Sequence, residues 1–117
     1  MKFYKIELLD NIAITFGDGP DGKILSDGTS VVIKSGDGTE TMARFTQNGT
    51  SQLYYDNALQ LQTFTNGFGF GQTTSYLKTS SGANAIEVVD GGRVQLYYNG
   101  SGVALTNANG ITGAVYN

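Results

Sequence analysis

The chain has 117 residues, a net charge of −3 and a pI near 4.6. Only 15% of its residues are charged and no basic stripe is visible, so it lacks the positive face that nucleic-acid binding needs. It contains neither cysteine nor histidine, which excludes disulfides, Ser-His and Cys-His nucleophilic pairs and His-ligated metals, and no run approaches the roughly 20 apolar residues of a membrane helix.

The N-terminal Met1-Lys2-Phe3-Tyr4-Lys5 is followed by Glu7 and Asp10 rather than by a long apolar stretch, so it does not read as a signal peptide. Residues 3–16 predict one or two strands. In Ile12-Ala13-Ile14-Thr15-Phe16 the large apolar residues alternate, which suits a half-buried strand. Gly17-Asp18-Gly19-Pro20-Asp21-Gly22 is a turn-rich loop. A short strand over 23–25 leads to the Ser26-Asp27-Gly28-Thr29 turn. The β-branched Ser30-Val31-Val32-Ile33-Lys34 predicts a strand, and Gly36-Asp37-Gly38 turns the chain into another over about 40–47.

A repeat then takes over. Gln52-Leu53-Tyr54-Tyr55-Asp56-Asn57 recurs 43 positions later as Gln95-Leu96-Tyr97-Tyr98-Asn99-Gly100. Without gaps, Gly49 pairs with Gly92, Thr63 with Thr106, Asn66 with Asn109 and Phe45 with Val88. A period of this size marks a repeated supersecondary unit. Each copy predicts a strand (43–47, 86–90), a Gly turn, the Leu-Tyr-Tyr strand (51–56, 93–98), a further strand (58–65, 103–107) and an Asn-Gly turn. In that further strand the alternation runs through Leu59 and Leu61 in one copy and Val103 and Leu105 in the other. Those positions are 44 apart, which predicts one added residue in the Asn99-Gly100-Ser101-Gly102 turn. Gly69 to Asn84 reads as a surface crossover with at most one short strand, near 73–78.

The expected organisation is one β-rich domain over 1–117. Its N-terminal strand region covers 1–42 and its two internal repeats cover about 43–74 and 86–117. Nine to eleven short strands with a turn every 8–12 residues predict an all-β fold of antiparallel strands, in a sandwich or a β-helical fibre-like module. Short strands expose edge groups, and Lys-rich edges are scarce here. Assembly around a symmetry axis would close a shared core.

Few residues are candidates for chemistry. The carboxylates sit mostly beside Gly or Asn in turns, where an Asp side chain bonds its own backbone. Asp18, Asp21, Asp27 and Asp37 match neither calcium-loop spacing, so no metal, cofactor or catalytic group is expected. Alternation places Val94, Leu96 and Tyr98 on one strand face and Gln95 and Tyr97 on the other. Tyr54 and Tyr97, with Gln52 and Gln95, are therefore the candidates for interface packing or for stacking against a sugar, while Tyr55 and Tyr98 go to the buried face. Asn48-Gly49-Thr50 and Asn99-Gly100-Ser101 match glycosylation acceptors by chance in a chain without a leader.

The runs from Met42 to Asn57 and from Val94 to Gly113 resemble repeats in phage fibre and virion structural proteins, those of cyanobacterial and other marine phages above all. Phe16-Gly17-Asp18-Gly19 to Lys23-Ile24, then Asp27-Gly28-Thr29-Ser30, resembles a motif that precedes such repeats, with Leu25-Ser26 in place of an aromatic pair. The resemblance implies a homotrimeric, non-enzymatic module on the outer surface of the virion. Its partners would be a major capsid protein or tail proteins, with no nucleic acid and no membrane. A chain of this length has no room for a separate fibre attachment region, which favours a trimeric capsid decoration protein. The alternative is a short tail fibre or spike tip that binds a host surface glycan.

Overall fold

The computed structural model describes residues 4–113 apart from Pro20, so Phe3, Pro20 and the 114–117 end of the second repeat lie outside the described residues. Twelve strands and no helix occur among the described residues: β1 (Ile14–Phe16), β2 (Gly22–Ser26), β3 (Ser30–Ser35), β4 (Thr41–Thr46), β5 (Ser51–Tyr55), β6 (Ala58–Phe64), β7 (Gly67–Phe70), β8 (Thr74–Lys78), β9 (Asn84–Val89), β10 (Val94–Tyr98), β11 (Ser101–Asn107) and β12 (Gly110–Thr112). They form two antiparallel meanders in two compact units, one ending at Gly71 and one beginning at Gln72. The first is a seven-stranded sheet, β1 to β7 in sequence order, and the second a five-stranded sheet, β8 to β12. The all-β, antiparallel expectation holds. Of the described stretch before Gly17, only Ile14–Phe16 is a strand.

The repeat is stricter than its sequence suggests. β9, β10 and β11 begin and end 43 residues after β4, β5 and β6. The expected added residue is not present. Tyr98 pairs with Ser101 across Asn99-Gly100 as Tyr55 pairs with Ala58 across Asp56-Asn57, both two-residue turns. All four turn residues have positive φ, from 48° to 77°. That is the mirror-image turn matching strand twist, and Asn, Asp and Gly tolerate it. The 44-residue spacing of the leucines reflects no shift between the copies: Leu61 corresponds to Ala104 and Leu105 to Gln62, in one shared register. Both hairpins slip register just after the leucine, between Leu53 and Tyr54 and between Leu96 and Tyr97. Gln60 and Val103 are the extra residues of these two bulges, so the alternation of β6 and β11 breaks inside the strand rather than at the turn.

Between the copies the short strand expected near 73–78 is present as β8, while the surface crossover around it is corrected. Gly69 to Asn84 holds the end of β7 and all of β8, and β8 repeats β3. Lys34 Nζ donates to Gly38 O at 3.0 Å and Lys78 Nζ to Gly82 O at 3.2 Å. Gly38 N bonds Ser35 O as Gly82 N bonds Thr79 O, each at 2.9 Å. The repeating unit is therefore five strands, β3–β7 and β8–β12. The β8–β9 turn is one residue shorter than its counterpart, which hides the first strand from an ungapped comparison.

Register and alternation sort the side chains. Ile14, Ile24, Ile33, Ala43, Leu53, Leu61 and Phe70 stand opposite one another, one per strand, across the whole first sheet. Leu77, Ile86, Leu96 and Ala104 form the same row in the second. Val31, Phe45 and Phe68 flank the first row, and Val88, Val94 and Ile111 the second. The strands carry five charged residues among those described: Lys23, Lys34, Arg44, Lys78 and Glu87. All five belong to the opposite faces. Each sheet thus has one uncharged, largely apolar face and one polar face.

Within its own sheet each apolar face remains open among the described residues. Among the described residues only Val32 and Ala43 are buried apolar side chains. Leu53 keeps 48% and Leu96 46% of its surface exposed. Tyr55 and Tyr98 do share the leucine face, as alternation requires, but they are 77% and 70% exposed rather than buried. Their partners Tyr54 and Tyr97 are the half-buried ones. Hydrogen bonds cover the polar face locally, whereas the leucine face lacks any covering layer within its own sheet.

Candidate functional site

On the polar face of the second sheet Tyr76, Glu87, Gln95, Leu105 and Thr112 stand in one cross-strand row. Glu87 interrupts an apolar strand, Ala85-Ile86-Glu87-Val88-Val89, and strand alternation turns it away from Ile86 and Val88. The four-residue connection between β9 and β10, Asp90 to Arg93, brings Arg93 back beside it. Tyr97 donates its hydroxyl to Glu87 Oε2 at 3.0 Å, and Arg93 Nη2 lies 2.7 Å from Oε1. Arg93 Nε donates to Gln95 Oε1 at 3.3 Å, and Tyr76 stands directly opposite Glu87 on β8. Lys78 Nζ sits 5.3 Å from the Tyr76 ring centre.

The result is a carboxylate that is only 5% exposed yet held charged. Burial pushes the Glu87 pKa up. The Tyr97 hydroxyl, the Arg93 charge and the Tyr76 hydroxyl together push it further down, so it rests below its ordinary value. Tyr97 and Tyr76 respond in the opposite sense. Burial, and then the hydrogen bond to a negative acceptor, raise both phenols above the ordinary tyrosine range.

The first sheet carries a related set. Arg44 replaces Glu87 in the row and pairs with Asp27, Nη1 to Oδ2, at 2.6 Å. Tyr54 donates to Gln52 Oε1 at 2.9 Å and Gln52 Nε2 to Gln62 Oε1 at 3.2 Å. Asp27 Oδ1 also accepts Thr29 N at 3.0 Å and Ser30 N at 2.9 Å. These backbone donors, with the Thr29 hydroxyl and Arg44, hold the Asp27 carboxyl far below the usual range. Asp37 is the same kind of turn anchor, lowered to about 2 by Ser35 and the backbone and hydroxyl of Thr39.

Each of the four sequence candidates lies on a polar face. Tyr54 and Gln52 bond each other in the first unit. In the second unit Tyr97 and Gln95 do not bond each other: Tyr97 goes to Glu87, and Gln95 to Arg93. Sequence reasoning missed Glu87, Tyr76 and Arg93. The available signal was an acid in the middle of an apolar strand, six residues before an arginine across a Gly turn. No cluster of three or more carboxylates able to hold a metal ion occurs among the described residues.

No family model, curated protein or solved structure matches the chain.

Proposed function

We propose that this chain is a non-enzymatic structural protein of a phage virion, a homotrimeric capsid decoration protein on the outer particle surface. The observation that carries this reading is the segregation of charge: each sheet has an uncharged apolar face, and all five charged strand residues sit on the other. An isolated chain leaves such a face in water. Exposed contiguous apolar surface of this kind marks an interaction site. Burying a Leu, Ile or Phe side chain is worth roughly 1.5–3 kcal/mol, so covering even part of either row contributes more than any surface ion pair. Copies of the chain and the shell proteins are the partners that cover it. The order of three comes from the resemblance to fibre and virion repeats.

The polar faces suit a scaffold better than a catalyst. A general acid must carry its proton near neutral pH, whereas Glu87, Asp27 and Asp37 are held charged by fixed donors. Attachment to a capsid lattice is tested by locating the protein in a particle map and by deleting it. Copies at symmetry positions and a mechanically weakened shell are expected; copies confined to the tail would contradict the capsid assignment.

One observation favours the alternative, a short tail fibre or spike tip that binds a host surface glycan. Tyr54 and Tyr97 hold their rings on polar faces beside Gln52 and Gln95, the pairing of apolar plane and hydrogen-bonding edge that a sugar requires. On that reading the purified protein adheres to host cells and competes with infection.

A further inference from the structure

Lys23 and Lys34 stand directly opposite each other on β2 and β3. Like charges in that position repel. Both ammonium groups also reach the same glycine. Lys34 Nζ donates to Gly38 O at 3.0 Å, and a Cβ added to Gly38 would come 2.6 Å from Lys23 Nζ. Neither has a carboxylate at ion-pair distance among the described residues. Asp27, the acid nearest in the same pocket, is committed to Arg44 and its own turn, while Asp37 is held by Ser35 and Thr39 and acts on Lys23 only at longer range. Both lysines are half-buried, which raises the cost of leaving the repulsion uncompensated.

The two ammonium groups and Arg44 open into one cavity of about 220 Å³ on the polar face, with Leu25 and Val32 at its wall and Asn11 beside them. Val32, only 1% exposed, is the most buried side chain of the described residues. Three of the seven basic residues of an otherwise acidic chain thus converge on a single hollow, with Asp27 the one acid in its lining. The second unit offers an internal comparison. Lys78 repeats Lys34, bond to the turn glycine included, but no strand lies beyond β8 to supply an opposing lysine, and Lys78 bonds Asn84 Oδ1 at 2.8 Å instead.

We infer that the Lys23–Lys34–Arg44 pocket binds a tetrahedral oxyanion, phosphate or sulfate, as the free ion or as the end of a small monoester. Several cations approaching one point from adjacent strands suit a group whose oxygens diverge, each accepting a charge-assisted hydrogen bond. The site lies opposite the apolar face of the same sheet and stays open when that face is covered.

Thermal unfolding of the full chain tests this, with sodium phosphate, sodium sulfate or glucose 6-phosphate compared with sodium chloride at equal ionic strength. Phosphate and sulfate should raise the melting temperature beyond chloride. Lys23→Gln, which leaves the Lys34–Gly38 bond intact, should weaken the apparent affinity roughly tenfold or more. It should also melt no lower than the parent protein in chloride, because it relieves a repulsion. Lys78→Gln should keep the full response. A several-fold tighter response to glucose 6-phosphate identifies a monoester, and an equal one the free ion. No rise beyond chloride, or an undiminished rise in Lys23→Gln, would overturn the site.

Discussion

Arg44 and Glu87 occupy the same station of the repeat, 43 residues apart, and carry opposite charges. Each is directly opposite a glutamine, Gln52 and Gln95. Each has its own counter-ion, Asp27 at 2.6 Å and Arg93 at 2.7 Å. The two copies have thus solved the same problem, a polar group at the middle of a half-covered sheet, with inverted sign.

Glu87 should make the second unit acid-sensitive. Its folded pKa lies below its unfolded one of about 4.3, so the unfolded chain binds more protons between the two values. Its contribution is therefore present above about pH 4 and is lost as pH falls through the folded value. Asp27 and Asp37 act in the same direction in the first unit. Melting temperature should fall on acidification below about pH 4, and Glu87→Gln should flatten that slope. An acid profile identical to the parent would show that Glu87 is not held as described.

Tyr97→Phe removes the hydroxyl that Glu87 accepts at 3.0 Å while keeping the ring. It should lower the melting temperature at neutral pH and shrink the acid slope, because the donor that lowers Glu87 most is gone. The same bond gives an alkaline effect. The raised Tyr97 and Tyr76 pKa values favour the folded state until pH climbs through the ordinary tyrosine range near 10, and the contribution is then lost. Absorbance titration of the phenolates should show two tyrosines ionising late, and one fewer in Tyr97→Phe.

The hairpin turns should be intolerant at defined positions. Gly100 has φ of 77° and open space where an added methyl group would stand, so Gly100→Ala tests backbone strain alone. It should cost about 1 kcal/mol or slightly more. Asn57 has φ of 60° and also ties down the preceding hairpin, its Oδ1 accepting Thr41 N at 2.8 Å and its Nδ2 donating to Thr39 O at 3.2 Å. Asn57→Gly relieves strain but gives up both bonds, so it should destabilise, by roughly 1 kcal/mol in denaturant titration.

Much of this architecture is legible in the amino-acid order. The doubled Leu-Tyr-Tyr segment locates β5 and β10, and the Gly and Asn turns locate most of the rest. Four features stay hidden for physical reasons. The copies carry leucine at different stations of one shared register, Leu61 opposite Leu53 but Leu105 opposite Gln95, so the spacing of Leu59, Leu61, Val103 and Leu105 imitates a longer turn. The correspondence of β8 to β3 is concealed because β8 holds Thr74, Ser75 and Lys78 where β3 has Ser30, Val31 and Lys34, and because the turn after it is one residue shorter. Tyr55 and Tyr98 lie on the face that alternation assigns them, but alternation gives faces, not cover. The Glu87 cluster needs the β9–β10 turn that returns Arg93 to the strand before it, a three-dimensional fact.

The apolar rows can be broken one residue at a time. Leu53→Asp and Leu96→Asp place a charge at the centre of each uncharged face and should dissociate the proposed homotrimer, since an unpaired charge buried between copies is costly. Tyr54→Ala, on the opposite face, should leave assembly unchanged. If the glycan-binding alternative holds, Tyr54→Ala and Tyr97→Ala should instead abolish adherence to host cells.

The most direct test of the central claim is the mass of the purified protein in solution, by light scattering at micromolar concentration. The proposed homotrimer, with the Leu53 and Leu96 faces buried between copies, predicts a particle of three times the 12.4 kDa chain mass, reduced to one by Leu53→Asp. A monomer of the unaltered chain at that concentration would contradict the account.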